Sequence, residues 1–263
     1  MVSGSRARAV ARLGVFAVGS WLVVARAIFA VLSRFPERWP RTAPYNSRWA
    51  RLGQRCLGIR IRRVGELPPP GSLVVSNHYG YADVVTIGGL FPCVFAARHD
   101  MRAWPLFGAL AASGGTIFIN RQLKRAGARG VARVAAALVA GATVLGFPEG
   151  TSTEGTELLP FRSGIFQAAV SYLALDGGPV TAENLDVVAW FRGESFLGHA
   201  LRLASHRSVL AEVRFGEPLL PPHADRRTLA ATAEARVRQL RGLPPRSQAA
   251  LPRPERAERG ATA

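Results

Sequence analysis

The sequence predicts an α/β fold with a central, mostly buried sheet flanked by helices, preceded by an N-terminal membrane-associated helical segment. Short apolar runs alternate with helix-like stretches through the middle of the chain, which is typical of a buried sheet. The chain has 263 residues, of which 48% are hydrophobic, enough to build the core of one domain with appendages.

Residues 1–50 are interpreted as a basic, apolar membrane-anchoring segment. The chain is uncharged from Leu13 to Ala25 and then apolar again after Arg26. The uncharged run is shorter than the roughly 18 residues of a spanning helix, and a longer span would enclose Arg26. The segment therefore either crosses the membrane or lies in its interface. A secretory signal peptide is a weaker alternative, because Arg26 would fall inside the small-x-small cleavage site.

The basic charge is concentrated next to this segment. The net charge is +17, and residues 1–63 contain 13 arginines and a single acidic residue, Glu37. Arginines beside an apolar segment are typical of the cytoplasmic face, where anionic lipid attracts them. Nucleic-acid binding would call for interleaved stacking aromatics or a known module, and neither occurs here. We therefore expect an N-terminal anchor on the cytoplasmic face of the inner membrane, with anionic lipid and not nucleic acid as the partner.

The main domain is predicted at residues 51–222, followed by a helix at 223–242 and a disordered tail at 243–263. Apolar runs predict strands at residues 72–76, 116–119, 143–147, 187–191 and 209–215. Helices are predicted at Gly127–Ala140 and Phe166–Leu175.

Polar residues follow three of these strands directly. They are Asn77, His78 and Asp83 after the first, Asn120 and Arg121 after the second, and the run from Pro148 to Ser152 after the third. Ligands of open α/β sheets gather at the carboxyl ends of the strands. These three strand ends therefore predict one site.

His78 and Asp83 form the pattern Asn-His-x-x-x-x-Asp. A neutral imidazole is a suitable general base for a hydroxyl, and a carboxylate can fix its tautomer and stabilise the imidazolium. Five residues correspond to about 140° around a helix, so the two side chains would diverge if both lay mid-helix. The pair requires His78 in a strand-to-helix turn.

An anion-binding loop is predicted to face this base. Glu149, Gly150 and Thr151 lie where the third strand ends, and Arg162 offers a bidentate donor for a phosphate or carboxylate. Cys56 and Cys93 stand in no metal-ligand spacing, so no metal is expected.

Three ordered motifs resemble those of the lysophospholipid acyltransferase family over about residues 50–220. They are Asn77 to Asp83, Gly115 to Arg121, and Phe147 to Ser152. The resemblance implies a glycerolipid acyltransferase-like fold in which His78 deprotonates the acceptor hydroxyl and Asp83 orients it. It places the lysolipid head group on Asn120, Arg121, Glu149, Gly150, Thr151 and Arg162. It implies no cofactor, metal or acyl-enzyme, with acyl-CoA or acyl carrier protein as the thioester donor.

The resemblance leaves the acceptor open within membrane lipid biosynthesis. We expect 1-acylglycerol-3-phosphate, giving phosphatidate, with lyso-ornithine lipid as the alternative. The fourth motif, around Gly178-Pro179-Val180, is indistinct, and Ala189–Phe196 with His199 is more similar to the ornithine-lipid branch. A third possibility is a non-catalytic protein that binds lipid surfaces.

Overall fold

The computed structural model describes residues 5–32, 38–104, 107–120, 123–148, 166–190, 194–219 and 226–245. Its helices are α1 (Arg6–Leu32), α2 (Arg38–Leu57), α3 (Tyr81–Gly88), α4 (Phe107–Ser113), α5 (Lys124–Val139), α6 (Phe196–Ser205) and α7 (Arg226–Leu240). Its strands are β1 (Ile59–Val64), β2 (Leu73–Ser76), β3 (Val94–Arg98), β4 (Ile117–Ile119), β5 (Val144–Gly146), β6 (Phe166–Leu175), β7 (Gly178–Pro179) and β8 (Val209–Phe215).

The strands of the described residues form one mixed sheet in the order β1-β8-β6-β2-β5-β3-β4, with β7 paired to the end of β6. Strands β6, β2, β5, β3 and β4 run parallel, whereas β8 is antiparallel to β6 and β1 is parallel to β8. The α/β prediction is confirmed.

The central strands are buried on both faces, which explains why they read as continuous apolar runs. On one face, Val74 and Val170 belong to the main core with Val85 and Ile87 of α3. On the other face, Val75 and Ala169 pack against α7 through Ala233 and Val237. Four of the predicted strands correspond to β2, β4, β5 and β8. Their burial makes their sequences apolar, which is the pattern on which the prediction was based.

The prediction of a helix at Phe166–Leu175 is wrong, because this segment is strand β6. Its alanines favour a helix in isolation. In the sheet, however, Ala168, Val170 and Tyr172 alternate toward the main core while Ala169 faces α7. Burial between two layers overrides the local propensity.

The strand predicted at residues 187–191 is also absent from its described part. The chain forms a 3₁₀ turn at Leu185–Val187 and continues irregularly to Trp190. Val188 and Ala189 are fully buried, but in a connection that packs against the sheet and not within it. A short apolar run does not distinguish these two kinds of burial.

Helices α1 and α2 pack side by side. The Trp49 indole N–H donates to the Ser20 hydroxyl at 3.0 Å, and Gly19 allows Leu52 to approach the α1 backbone. Val15, Val18, Trp21 and Leu22 of α1 are exposed, and three of them, Val15, Val18 and Leu22, border an open groove beside Leu52. None of the helices in the described ranges combines the length and hydropathy needed to cross a membrane.

Arginines of α1 bind the carboxyl end of α6. The Arg12 guanidinium donates to the carbonyls of Ala204 at 3.1 Å, His206 at 2.5 Å and Arg207 at 3.1 Å. Arg8 donates to the carbonyl of Ser205 at 2.8 Å. Carbonyls at a helix carboxyl end lack intrahelical partners and carry partial negative charge, so cations stabilise them.

We expect Arg12→Met to lower the free energy of unfolding by about 1–3 kcal/mol, because three carbonyls lose a charged donor. Urea unfolding followed by tryptophan fluorescence measures this change. Arg6→Met is the matched control, since Arg6 is exposed on the same helix, and it should change stability by less than about 0.5 kcal/mol. Equal effects of the two substitutions would contradict this role of Arg12.

Candidate active site

The parallel strands β2, β5, β3 and β4 end at one edge of the sheet. His78 follows β2, Phe147 follows β5, and Asn120 follows β4. His78 and Phe147 are in contact, whereas Asn120 lies three strands away from β2, a separation of about 14 Å across the sheet. Arg121, Glu149, Gly150, Thr151 and Arg162 lie outside the described residues, so their predicted head-group role stays a prediction.

The turn between β2 and α3 brings His78 and Asp83 together. His78 precedes the helix, and Asp83 lies in its first turn. The His78 Nδ1 atom is 3.0 Å from Asp83 Oδ2. This is the strand-to-helix turn that the five-residue spacing requires.

Asp83 is fully buried and surrounded by donors. Its Oδ2 accepts the backbone N–H groups of Tyr79 at 2.5 Å and Gly80 at 2.9 Å. Its Oδ1 accepts the Tyr172 hydroxyl at 2.8 Å. Burial, and then the neighbouring Asp83 charge, raise the pKa of Tyr172 well above its ordinary value, so this phenol remains a donor. Donors of this kind compensate the desolvation of a buried carboxylate.

Asn77 fixes the start of the turn to the neighbouring strand. Its amide nitrogen donates to the carbonyl of Val170 at 3.1 Å, and its amide oxygen accepts the Val170 N–H at 2.9 Å. The side chain thereby pairs with β6 as a strand residue would. Sequence reasoning placed Asn77 in the motif but did not identify this contact.

The His78 ring stacks on Phe147, with ring centroids 4.1 Å apart and planes inclined by 20°. Its side chain is 19% exposed, in contrast to the completely buried Asp83. When neutral His78 donates its Nδ1–H to Asp83, Nε2 is the proton-free nitrogen. The arrangement can remove a proton from a hydroxyl and stabilise the resulting imidazolium.

Trp190 forms a wall beside the turn. Its backbone N–H donates to the Tyr79 carbonyl at 2.9 Å, and its indole donates to the Glu194 carbonyl at 3.0 Å. A Cβ at Gly80 would lie only 3.0 Å from the Trp190 Cβ, a tight contact that favours a residue without a side chain. The connection that was predicted to be a strand therefore shapes the site.

His199 has a structural role in this wall. It is fully buried, its Nδ1 lies 2.8 Å from the Tyr81 hydroxyl, and its Nε2 lies 3.1 Å from the Asp186 carbonyl. The carbonyl can only accept, so Nε2 donates to it and Tyr81 donates to Nδ1. Burial lowers the pKa of His199, which favours this neutral form.

Arg98, the last residue of β3, pairs with an acidic neighbour. Its Nε donates to Asp100 Oδ1 at 2.9 Å, and its NH2 group also contacts that carboxylate. This bond lowers the pKa of Asp100. Within the described part of the chain, no group of three His, Cys, Asp or Glu side chains could hold a metal ion.

Comparison with known proteins supports the motif assignment. The Acyltransferase family model matches residues 59–182. The lyso-ornithine lipid O-acyltransferase of Brucella abortus (strain 2308) is 30% identical over 249 residues, which cover 84% of this chain and 92% of that protein. The chain belongs to the lysophospholipid acyltransferase family. It is an acyltransferase of lipid biosynthesis.

Two further members of the acyltransferase group are similar to this chain. The 1-acyl-sn-glycerol-3-phosphate acyltransferase of Neisseria gonorrhoeae is 32% identical over 114 residues, which cover 43% of this chain and 45% of that protein. The crystal structure of the 1-acyl-sn-glycerophosphate acyltransferase PlsC from Thermotoga maritima has a TM-score of 0.56 at 15% identity, covering 89% of this chain and 97% of that one. The structural likeness shows the shared α/β acyltransferase fold.

We expect Asp83→Asn to lower kcat on the order of 10³-fold with little change in KM, because the amide removes the charge that stabilises the imidazolium. Release of the thiol from an acyl thioester measures this rate. Asp186→Asn is the control, because that carboxylate is 53% exposed and lies outside the turn. An Asp83→Asn enzyme with full kcat would rule out the paired mechanism.

Proposed function

We propose that the protein transfers a fatty acyl group from an acyl thioester to the free hydroxyl of a lysolipid, with His78 as the general base. The 3.0 Å contact between His78 Nδ1 and Asp83 is the observation that supports this most directly. Nε2 of His78 takes the hydroxyl proton while the oxygen attacks the thioester carbonyl. The C–S bond then breaks, and the leaving thiolate recovers the proton from His78.

Asp83 keeps its negative charge throughout this cycle. Backbone N–H groups of the turn and the Tyr172 hydroxyl stabilise the carboxylate. The ionised Asp83 stabilises positive charge on His78 in the transition state and holds the ring in one tautomer. We expect the head group to bind Asn120, Arg121, Arg162 and the loop of Glu149, Gly150 and Thr151.

We propose lyso-ornithine lipid as the acceptor. The Brucella abortus lyso-ornithine lipid O-acyltransferase aligns with 84% of this chain, whereas the Neisseria gonorrhoeae 1-acyl-sn-glycerol-3-phosphate acyltransferase aligns with 43%. Acceptor choice depends on pocket shape, which involves more of the chain than the motifs alone. The second candidate acceptor is 1-acylglycerol-3-phosphate, which the motifs and the overall fold of the Thermotoga maritima enzyme also fit.

We propose an interfacial site of action on the cytoplasmic face of the membrane. The exposed side of α1 carries Val15, Val18, Trp21 and Leu22, and an apolar helix face beside arginines is suited to an anionic lipid surface. The net charge of +17 also favours acidic donors, both acyl carrier protein and acyl-CoA. No cofactor is needed for this chemistry.

Thioester release by the purified protein in anionic vesicles tests the activity and the acceptor. Vesicles carry either lyso-ornithine lipid or 1-acylglycerol-3-phosphate, and each is assayed with acyl carrier protein and CoA thioesters. We expect transfer to lyso-ornithine lipid and a loss on the order of 10³-fold in His78→Ala. His99→Ala, in which an exposed histidine outside the turn is changed, should retain the wild-type rate within about twofold.

The other outcomes are equally informative. Transfer to 1-acylglycerol-3-phosphate alone would replace the proposed acceptor with the second candidate. A folded protein that is inactive with both acceptors and both donors would overturn the catalytic proposal and favour the non-catalytic lipid-binding alternative.

Trp21→Glu tests the membrane-facing role of α1. Trp21 is 71% exposed, and replacing its large apolar surface with a charge should weaken binding to anionic vesicles at least tenfold. Vesicle co-sedimentation measures the partition. Val139→Glu is the matched control, because Val139 is 90% exposed on α5, away from α1. Equal binding of wild type and the Trp21 variant would contradict the proposed orientation.

A further inference from the structure

The buried hydroxyl of Tyr172 is directed at the carboxylate of the His78–Asp83 pair from a different element of the fold. It lies on β6, 89 positions from Asp83 along the chain, and donates to Oδ1 at 2.8 Å. Tyr172 is 6% exposed and belongs to the main core. A phenylalanine would fill the same apolar space, so packing alone does not explain the hydroxyl.

The donors to the two oxygens of Asp83 have different origins. Oδ2 accepts N–H groups of Tyr79 and Gly80, which belong to the same turn as His78. Oδ1 instead accepts a donor from the sheet. Local bonds hold the carboxylate within its own turn, whereas the Tyr172 bond fixes its rotation relative to the rigid sheet.

We infer that Tyr172 is a positioning residue for catalysis, which acts through Asp83 to hold His78 in the orientation that deprotonates the acceptor. This inference rests on the proposed function. The Tyr172 hydroxyl also withdraws charge from the carboxylate by hydrogen bonding, and thereby moderates how strongly Asp83 holds a protonated His78. The bond thereby contributes to the orientation of the base, together with the two N–H groups of the turn.

Titratable side chains lie close to Asp83 on the turn and on β6, and a charged one lies beyond them on α7. His78, Tyr79 and Tyr172 surround it, and Arg241 of α7 donates to the Tyr79 hydroxyl at 2.7 Å. Burial raises the pKa of Tyr172, so this phenol stays protonated through the range in which the enzyme is assayed. Tyr172 is therefore a constant donor to Asp83 along the acid limb of the pH–activity profile.

The test compares Tyr172→Phe with the wild type by thiol release over a range of pH. We expect kcat to fall on the order of tenfold with KM unchanged, the size expected for losing a hydrogen bond to a charged group. The acid limb should move to higher pH, because the carboxylate without its donor holds the imidazolium more strongly. A purely structural role would lower the melting temperature and leave both readouts unchanged.

Tyr81→Phe is the matched control, because it removes a phenol hydroxyl that donates to His199 and not to Asp83. It should lower the melting temperature and leave the acid limb at the wild-type pH. Fluorotyrosine at position 172 keeps the shape and strengthens the donor, and should move the acid limb to lower pH. This substitution also provides the test if Tyr172→Phe does not fold.

An unchanged acid limb in both position-172 variants, or an unchanged kcat in Tyr172→Phe, would overturn the inference while leaving the His78 mechanism intact. The proposed function fails separately, through full activity in His78→Ala. The wild type and His78→Ala are therefore assayed in the same series, so that the two failures are distinguishable.

Discussion

The charge on the buried Asp83 carboxylate is the constraint on which the rest of the site depends. An ionised carboxylate removed from water costs several kcal/mol unless donors replace its hydration. Here the donors are two N–H groups of its own turn, the Tyr172 hydroxyl and the His78 ring. The same conformation places Asp83 against His78 and in the first turn of α3. It also joins the turn to the sheet through the Tyr172 hydroxyl. Orientation of the base is thus a consequence of stabilising Asp83.

Strand β6 extends beyond β2 because its residues from Ala168 to Leu175 pair with β8. Strand β2 pairs with β6 only as far as the register of Ser76 with Ala168, while β6 continues to Leu175. The turn of the motif fills the vacated edge: the Asn77 side chain pairs with Val170, and Asp83 accepts the Tyr172 hydroxyl. Beyond Ser76 the backbone of this segment no longer pairs with β6. The side chains of Asn77 and Asp83 form the next hydrogen bonds to that strand.

Local spacing was sufficient to predict some of these features but not others. The apolar runs predicted strands that became β2, β4, β5 and β8, and the five-residue offset required His78 in a turn. The contacts of Asn77 with Val170 and of Asp83 with Tyr172 join residues 93 and 89 positions apart, and no local pattern encodes them. Strand β6 was predicted as a helix for a similar reason. Its alanines favour a helix locally, and the layers that bury it come from distant parts of the chain. Alternation of Ala168, Val170 and Tyr172 was the available signal.

Two arginines near the N-terminus have a structural role that the charge composition does not reveal. The sequence interpretation assigned its charge to anionic lipid, yet Arg8 and Arg12 bind carbonyls at the carboxyl end of α6. In α2, the Gln54 amide likewise donates to the carbonyls of Val85 at 2.7 Å and Thr86 at 3.1 Å, in the last turn of α3.

The α1–α2 pair therefore holds the carboxyl ends of both helices that flank the catalytic turn. Its exposed apolar side has a fixed orientation relative to His78, because the contacts on its inner side are polar, directional and partly buried. An enzyme whose acceptor is embedded in a lipid layer needs its base at a constant height above that layer. In the proposed interfacial orientation, direct bonding between the α1–α2 pair and the helices of the site would meet that geometric requirement.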